Sequence, residues 1–170
     1  MADYYTEFSA ELSNLTLEEE QWLREQLTCI FVIGGVEYTE EELDEKQLDK
    51  SNVEWFGCRA WRNNPELDPD DSDGIGFEYA FDFSVEPANR WLWVYSEDYG
   101  NLTRLAVLIQ AFLRKFRPRQ SWGLCWADTC SKLRLDAFGG GAVFITPEYI
   151  DWFHTNRWLS ERQQIVEDAT

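Results

Sequence analysis

The sequence predicts an α+β fold: an antiparallel sheet of about five strands with a long amphipathic helix packed on one face. Three observations carry this. Residues 75–85 (IGFEYAFDFSV) place an apolar side chain at every odd position and a small or acidic one at every even position, the period of a half-buried strand. Residues 102–116 set Leu102, Leu105, Ala106, Leu108, Ile109, Phe112, Leu113 and Phe116 on one helical face, with Pro118 just past the end. Further strand-like runs lie on both sides of that helix without the regular strand–helix alternation of a parallel sheet.

In chain order, Thr16-Leu17-Glu18-Glu19 is a capping box, and Trp22, Leu23 and Leu27 follow at helical spacing, which predicts a helix near 17–28. Residues 1–50 read as an acidic helical N-terminal segment, ahead of a sheet-and-helix core over 51–170, within a single domain spanning 1–170. Residues 53–61 are expected to pair with 75–85 across an Asp-rich loop, and 90–95 to add a third strand to the meander. Residues 121–127 and 141–146 read as two more strands. After them Thr146 caps and Pro147 opens a short helix carrying Tyr149, Ile150, Trp152 and Phe153.

Composition narrows the classes. Apolar residues are 44% and aromatic residues 16% of the chain, with nine tryptophans, so it folds despite a formal charge of −17. No apolar run reaches the ~18 residues of a membrane span, and MADYYTEFSAEL has neither a basic nor an apolar leader, so the expectation is a cytoplasmic protein with no membrane partner. The four cysteines, Cys29, Cys58, Cys125 and Cys130, contain no C-x-x-C pair, and His154 is the one histidine. No metal site or cofactor is expected, and the thiols read as reduced small side chains, with Cys125 and Cys130 close enough in sequence to approach across a turn.

Charge is unevenly spread. Residues 1–50 carry 14 acids against 3 bases and residues 64–100 carry 10 against 1, whereas 101–135 carry 7 bases against the single acid Asp128. The acids form two blocks: Glu37, Glu40, Glu41, Glu42, Asp44 and Glu45, and then Asp68, Asp70, Asp71 and Asp73. The second is not a calcium loop, because its glycine falls one position late and Tyr79 stands where a bidentate Glu is required. Trp91, Trp93, Trp122 and Trp126 alternate along strands as stacking platforms do, but a strongly negative chain repels phosphate, so direct nucleic-acid binding is not expected. The bases of 101–135 read as a solvated face along the long helix.

The run TCSKLRLDAFGGGA over 129–142 holds a thiol, a hydroxyl, cations and three glycines. A phosphate cradle lies between a strand and a helix, and these glycines lead into a strand, so a hairpin connection is the reading. Cys130 lacks a neighbouring base; a dyad with His154 would have to be assembled by the fold. No carboxylate pair is singled out for acid–base work.

The segments AFLRKFRP (111–118), WGLCWA (122–127), TCSK (129–132) and FGGGA (138–142) resemble a family of small acidic proteins encoded in bacteriophages and mobile elements, over residues 75–155. Leu133 stands where such members follow the lysine with proline. Acidic phage proteins of this size are often inhibitors of host defence, anti-CRISPR proteins and DNA mimics among them. By that analogy the chain is expected to be a non-enzymatic inhibitor whose two acidic blocks occupy a basic nucleic-acid-binding protein or ribonucleoprotein. The alternatives are an accessory or structural phage protein whose acidity serves solubility, and a small enzyme using Cys130 and Lys132. An extended Asp68–Asp73 loop carries one charge per ~5 Å, sparser than the ~3.4 Å of a DNA strand. A mimic therefore needs both blocks on one surface.

Overall fold

The computed structural model describes residues 3–62, 75–82, 90–132, 134 and 137–168. The Asp68–Asp73 block lies outside the described residues. In chain order the elements are β1 (Tyr4–Leu12), α1 (Leu17–Leu27), β2 (Cys29–Ile33), β3 (Val36–Tyr38), α2 (Glu40–Glu45), β4 (Trp55–Cys58), β5 (Glu78–Asp82), β6 (Trp91–Ser96), α3 (Leu102–Phe116), β7 (Trp122–Cys130), β8 (Gly139–Ile145), β9 (Ile150–His154) and α4 (Thr155–Asp168). The fold is α+β. Its main sheet has six antiparallel strands in the order β5-β6-β1-β7-β8-β9, and a second sheet has three in the order β3-β2-β4.

Three expectations are corrected. The N-terminal segment is not wholly helical: β1 lies inside the main sheet, between β6 and β7. Phe8 and Leu12 face the core while Glu7, Ser9 and Glu11 face solvent, so the acids sit on the wet side of a period-two pattern. The 53–61 strand does not join 75–85; β4 pairs with β2, whose unbroken apolar run CIFVI is the partner it needs. Nor do Tyr149 to Phe153 form a helix. Thr146 Oγ1 accepts from the Glu148 and Tyr149 amides, and Thr146 N donates to Tyr149 O, which closes a hairpin turn. Its second arm, β9, covers the edge of β8 that would otherwise stay unpaired. The helix follows instead as α4, 14 residues long.

The first helix forms where the capping box placed it, with Thr16 Oγ1 accepting from Glu19 N and Glu19 returning a bond to Thr16 N. One face of the main sheet presents Phe8, Leu12, Leu92, Val94, Leu124, Trp126, Val143 and Ile145 to a core shared with Leu105, Leu108, Ile109 and Phe112 of α3 and Leu23 and Leu27 of α1. Each such side chain contributes roughly 1.5–3 kcal/mol on burial. Among the described residues no helix is long and apolar enough to cross a membrane.

Candidate protein-binding surface

The first acidic block is brought together. Glu37 lies on β3, and Glu40, Glu41, Glu42, Asp44 and Glu45 lie on α2, where Leu43 alone is buried. A second capping box starts this helix: Thr39 Oγ1 accepts from Glu42 N, and Glu42 takes the Thr39 amide at 2.8 Å. That backbone bond holds the Glu42 carboxyl below its ordinary range. Glu37 is bridged by Arg62 and Arg59, and Lys50 sits 3.1 Å from Glu40 and 3.7 Å from Asp44. Glu41 and Glu45 have no ion-pair partner among the described residues. The second block, Asp68, Asp70, Asp71 and Asp73, lies outside the described residues.

Sequence reasoning missed a second surface, the outer face of the main sheet. Helices α1 and α3 cover the inner face; outward, Ser9, Cys125 and Ala127 are exposed, as are Trp93, Phe144 and Phe153. Trp93 stacks on Tyr95 at 4.1 Å and donates to Ser9 Oγ at 2.8 Å. Glu7, Ser9, Glu97, Cys125 and Ala127 line a shallow depression of about 520 Å3 there. Small residues make the floor and two carboxylates the rim. Its signal was present in the outward positions of β1, β6 and β7, but assigning a face requires knowing that β1 is a strand.

Thr129 and Cys130 end β7 and the glycines open β8, which pairs antiparallel with it. Ser131 ties the TCSK run to the N-terminus through its amide to Asp3 O and its Oγ to Asp3 N. Gly140 adopts φ 134, a conformation that side chains rarely take, and a Cβ at Gly141 would run into the Phe153 carbonyl and lie 2.7 Å from the Trp126 ring. The glycine at 141 lets the edge of that ring approach β8, and the ring meets Trp152 at 5.9 Å and His154 at 5.2 Å. With Thr6, Thr103 and Asp128 these rings line a pocket of about 420 Å3. Asp128 accepts from the Thr6 hydroxyl at 3.1 Å and the Trp126 indole at 3.3 Å.

The chemical residues are not assembled. His154 is level with Gly141 and Trp126, whereas Cys130 lies four residues further along β7 and two strands across, a separation of roughly 16 Å. No Cys130–His154 dyad forms. Cys125 and Cys130 point to opposite faces of β7, so they do not approach across a turn. Of the 101–135 bases, Arg114, Lys115, Arg119, Lys132 and Arg134 are exposed as expected, whereas Arg104 is buried and Arg117 is drawn in to pair with Glu19. Among the described residues no group of three or more His, Cys, Asp or Glu side chains is placed to hold a metal ion. Comparison with protein-family models, curated proteins and solved structures finds no match to this chain.

Proposed function

We propose that the protein is a non-enzymatic acidic binding protein that occupies the basic, nucleic-acid-binding surface of a partner, as anti-CRISPR and DNA-mimic proteins do. The observation that carries this is the charge density of α2. Five carboxylates stand on a six-residue helix, which at about 1.5 Å per residue is ~9 Å long, or one charge per ~1.8 Å of axis. Duplex DNA carries one per ~1.7 Å. The helix supplies the spacing that an extended acidic loop does not. The charge balance favours the same reading, since 32 acids stand against 15 bases. The favoured partner is a ribonucleoprotein nuclease of the CRISPR type, met in the host cytoplasm.

A quadruple variant, Glu40→Gln, Glu41→Gln, Asp44→Asn and Glu45→Gln, tests this. Glu42 is kept because it caps the helix. With exposed ion pairs worth roughly 0.2–1 kcal/mol each, the variant should bind an immobilised CRISPR effector about tenfold or more weakly, with an unchanged circular dichroism spectrum. Unchanged affinity would favour acidity serving solubility alone. Loss on Cys130→Ala, with the acidic variant intact, would favour the enzyme.

A further inference from the structure

Two of the four thiols stand together outside both surfaces. Cys29 and Cys58 are direct partners in the β2–β4 ladder, and their sulfurs lie 3.9 Å apart. One step along, Arg59 N donates to Thr28 O, so the ladder alternation makes Cys29–Cys58 a non-hydrogen-bonded pair. Such pairs bring Cα atoms to about 4.5 Å, at the short end of the ~4.4–6.8 Å that a disulfide spans.

The two thiols are unequal. Cys58 is fully buried. Cys29 is half-buried and lines a cleft of about 480 Å3 with Gly76, Glu78, Ser96, Asp98 and Tyr99. In the neutral pair Cys58 donates to Leu27 O at 3.4 Å, leaving Cys29 to donate to Cys58. When Cys29 ionises, the Cys58 proton turns to it. That bond lowers the Cys29 thiol to about 7 and, with burial, pushes Cys58 up. The accessible sulfur is therefore the nucleophile and the buried one its resolving partner.

We infer that Cys29 and Cys58 form a redox modification site, closing a reversible intramolecular disulfide across β2 and β4 at the expense of a low-molecular-weight disulfide. Cys29 thiolate attacks one sulfur of that disulfide, whose S–S bond breaks. One small thiolate leaves and takes up a proton, and a mixed disulfide remains on Cys29. The Cys58 thiol then gives up its proton and attacks Cys29 Sγ, expelling the second small thiol. Two protein thiols are oxidised, and one small disulfide is reduced to two thiols. Bonding requires the sulfurs to close from 3.9 Å to ~2.05 Å. Glu78 and Asp98 at the cleft favour a cationic reagent.

Cystamine, a cationic disulfide, is the probe. After reduced full-length protein is treated with it, the remaining thiols are alkylated and the peptides mapped without reduction. The expected result is an intrachain link between the Cys29 and Cys58 peptides, distinct from any cystamine adduct on the exposed Cys125, and recovery of both thiols with dithiothreitol. In Cys58→Ser the cystamine adduct on Cys29 should accumulate instead. Four surviving thiols, a stable adduct on Cys29 of the unsubstituted protein, or a bridge that uses Cys125, Cys130 or a second chain would overturn the assignment. The mapping on unsubstituted protein stands even if the serine variant fails to fold.

Discussion

Replacing Arg117 by alanine is expected to destabilise the protein by about 3–5 kcal/mol, because it strands a buried carboxylate. Its guanidinium grips Glu19 with two bonds, Nε to Oε1 at 2.7 Å and Nη2 to Oε2 at 3.1 Å. The same group donates to Ser13 O at 3.2 Å and Asn14 O at 2.9 Å, so one side chain fastens the end of α3 to the turn between β1 and α1. Burial pushes the Glu19 carboxyl up, but the bonds from Arg117 and Thr16 outweigh it and hold it below its ordinary range. The stability linked to that lowered value is fully present above the unfolded carboxylate range and is lost as pH falls through the folded value. In Arg117→Ala only Thr16 opposes burial, so the acid-side loss should shrink while stability at neutral pH falls. Urea denaturation at neutral and acid pH reads both effects.

Gly141→Ala should cost about 3 kcal/mol, at the upper end of overpacking, because the added methyl meets backbone that cannot turn aside. Its Cβ would strike the Phe153 carbonyl and press 2.7 Å from two carbons of the Trp126 ring, so β9 or the indole must shift. Altered tryptophan emission should accompany the loss, since Trp126 packs on Trp152 and His154. Gly139→Ala is the control. The nearest atom to its Cβ is the side-chain amide of Asn156, at 2.8 Å, which can rotate away. Equal losses in the two variants would argue against the close approach at 141.

Local signals were the legible ones. Thr16 to Glu19 marked a helix start, Pro118 a helix end, and the apolar face of 102–116 the helix that fills the core. What escaped was set by partners far along the chain. β1 is recognisable only once β6 and β7 flank it, because its carboxylates mask a regular alternation. The 150–154 segment has helix-like punctuation at Thr146 and Pro147, but the open edge of β8 outweighs it. Arg117 looked like one of several solvated bases, and its partner Glu19 is 98 residues away. The Glu37–Glu45 block was visible as composition; the compression of Glu40–Glu45 onto one short helix followed from Thr39 and Glu42, a capping box hidden inside a run of acids.

Two surfaces make opposite demands on salt. Exposed charges are screened over ~8 Å at physiological ionic strength, so a partner held by α2 associates more slowly and binds more weakly as salt rises. A partner held on Trp93 and the outer sheet face buries apolar area, which does not depend on counterions. The most direct measurement is therefore capture of a CRISPR effector on the immobilised protein, eluted along a salt gradient with and without excess double-stranded DNA. Release at moderate salt, and displacement by DNA at low salt, is the predicted result. Binding that is indifferent to salt and persists under saturating DNA would contradict the proposed electrostatic mimicry.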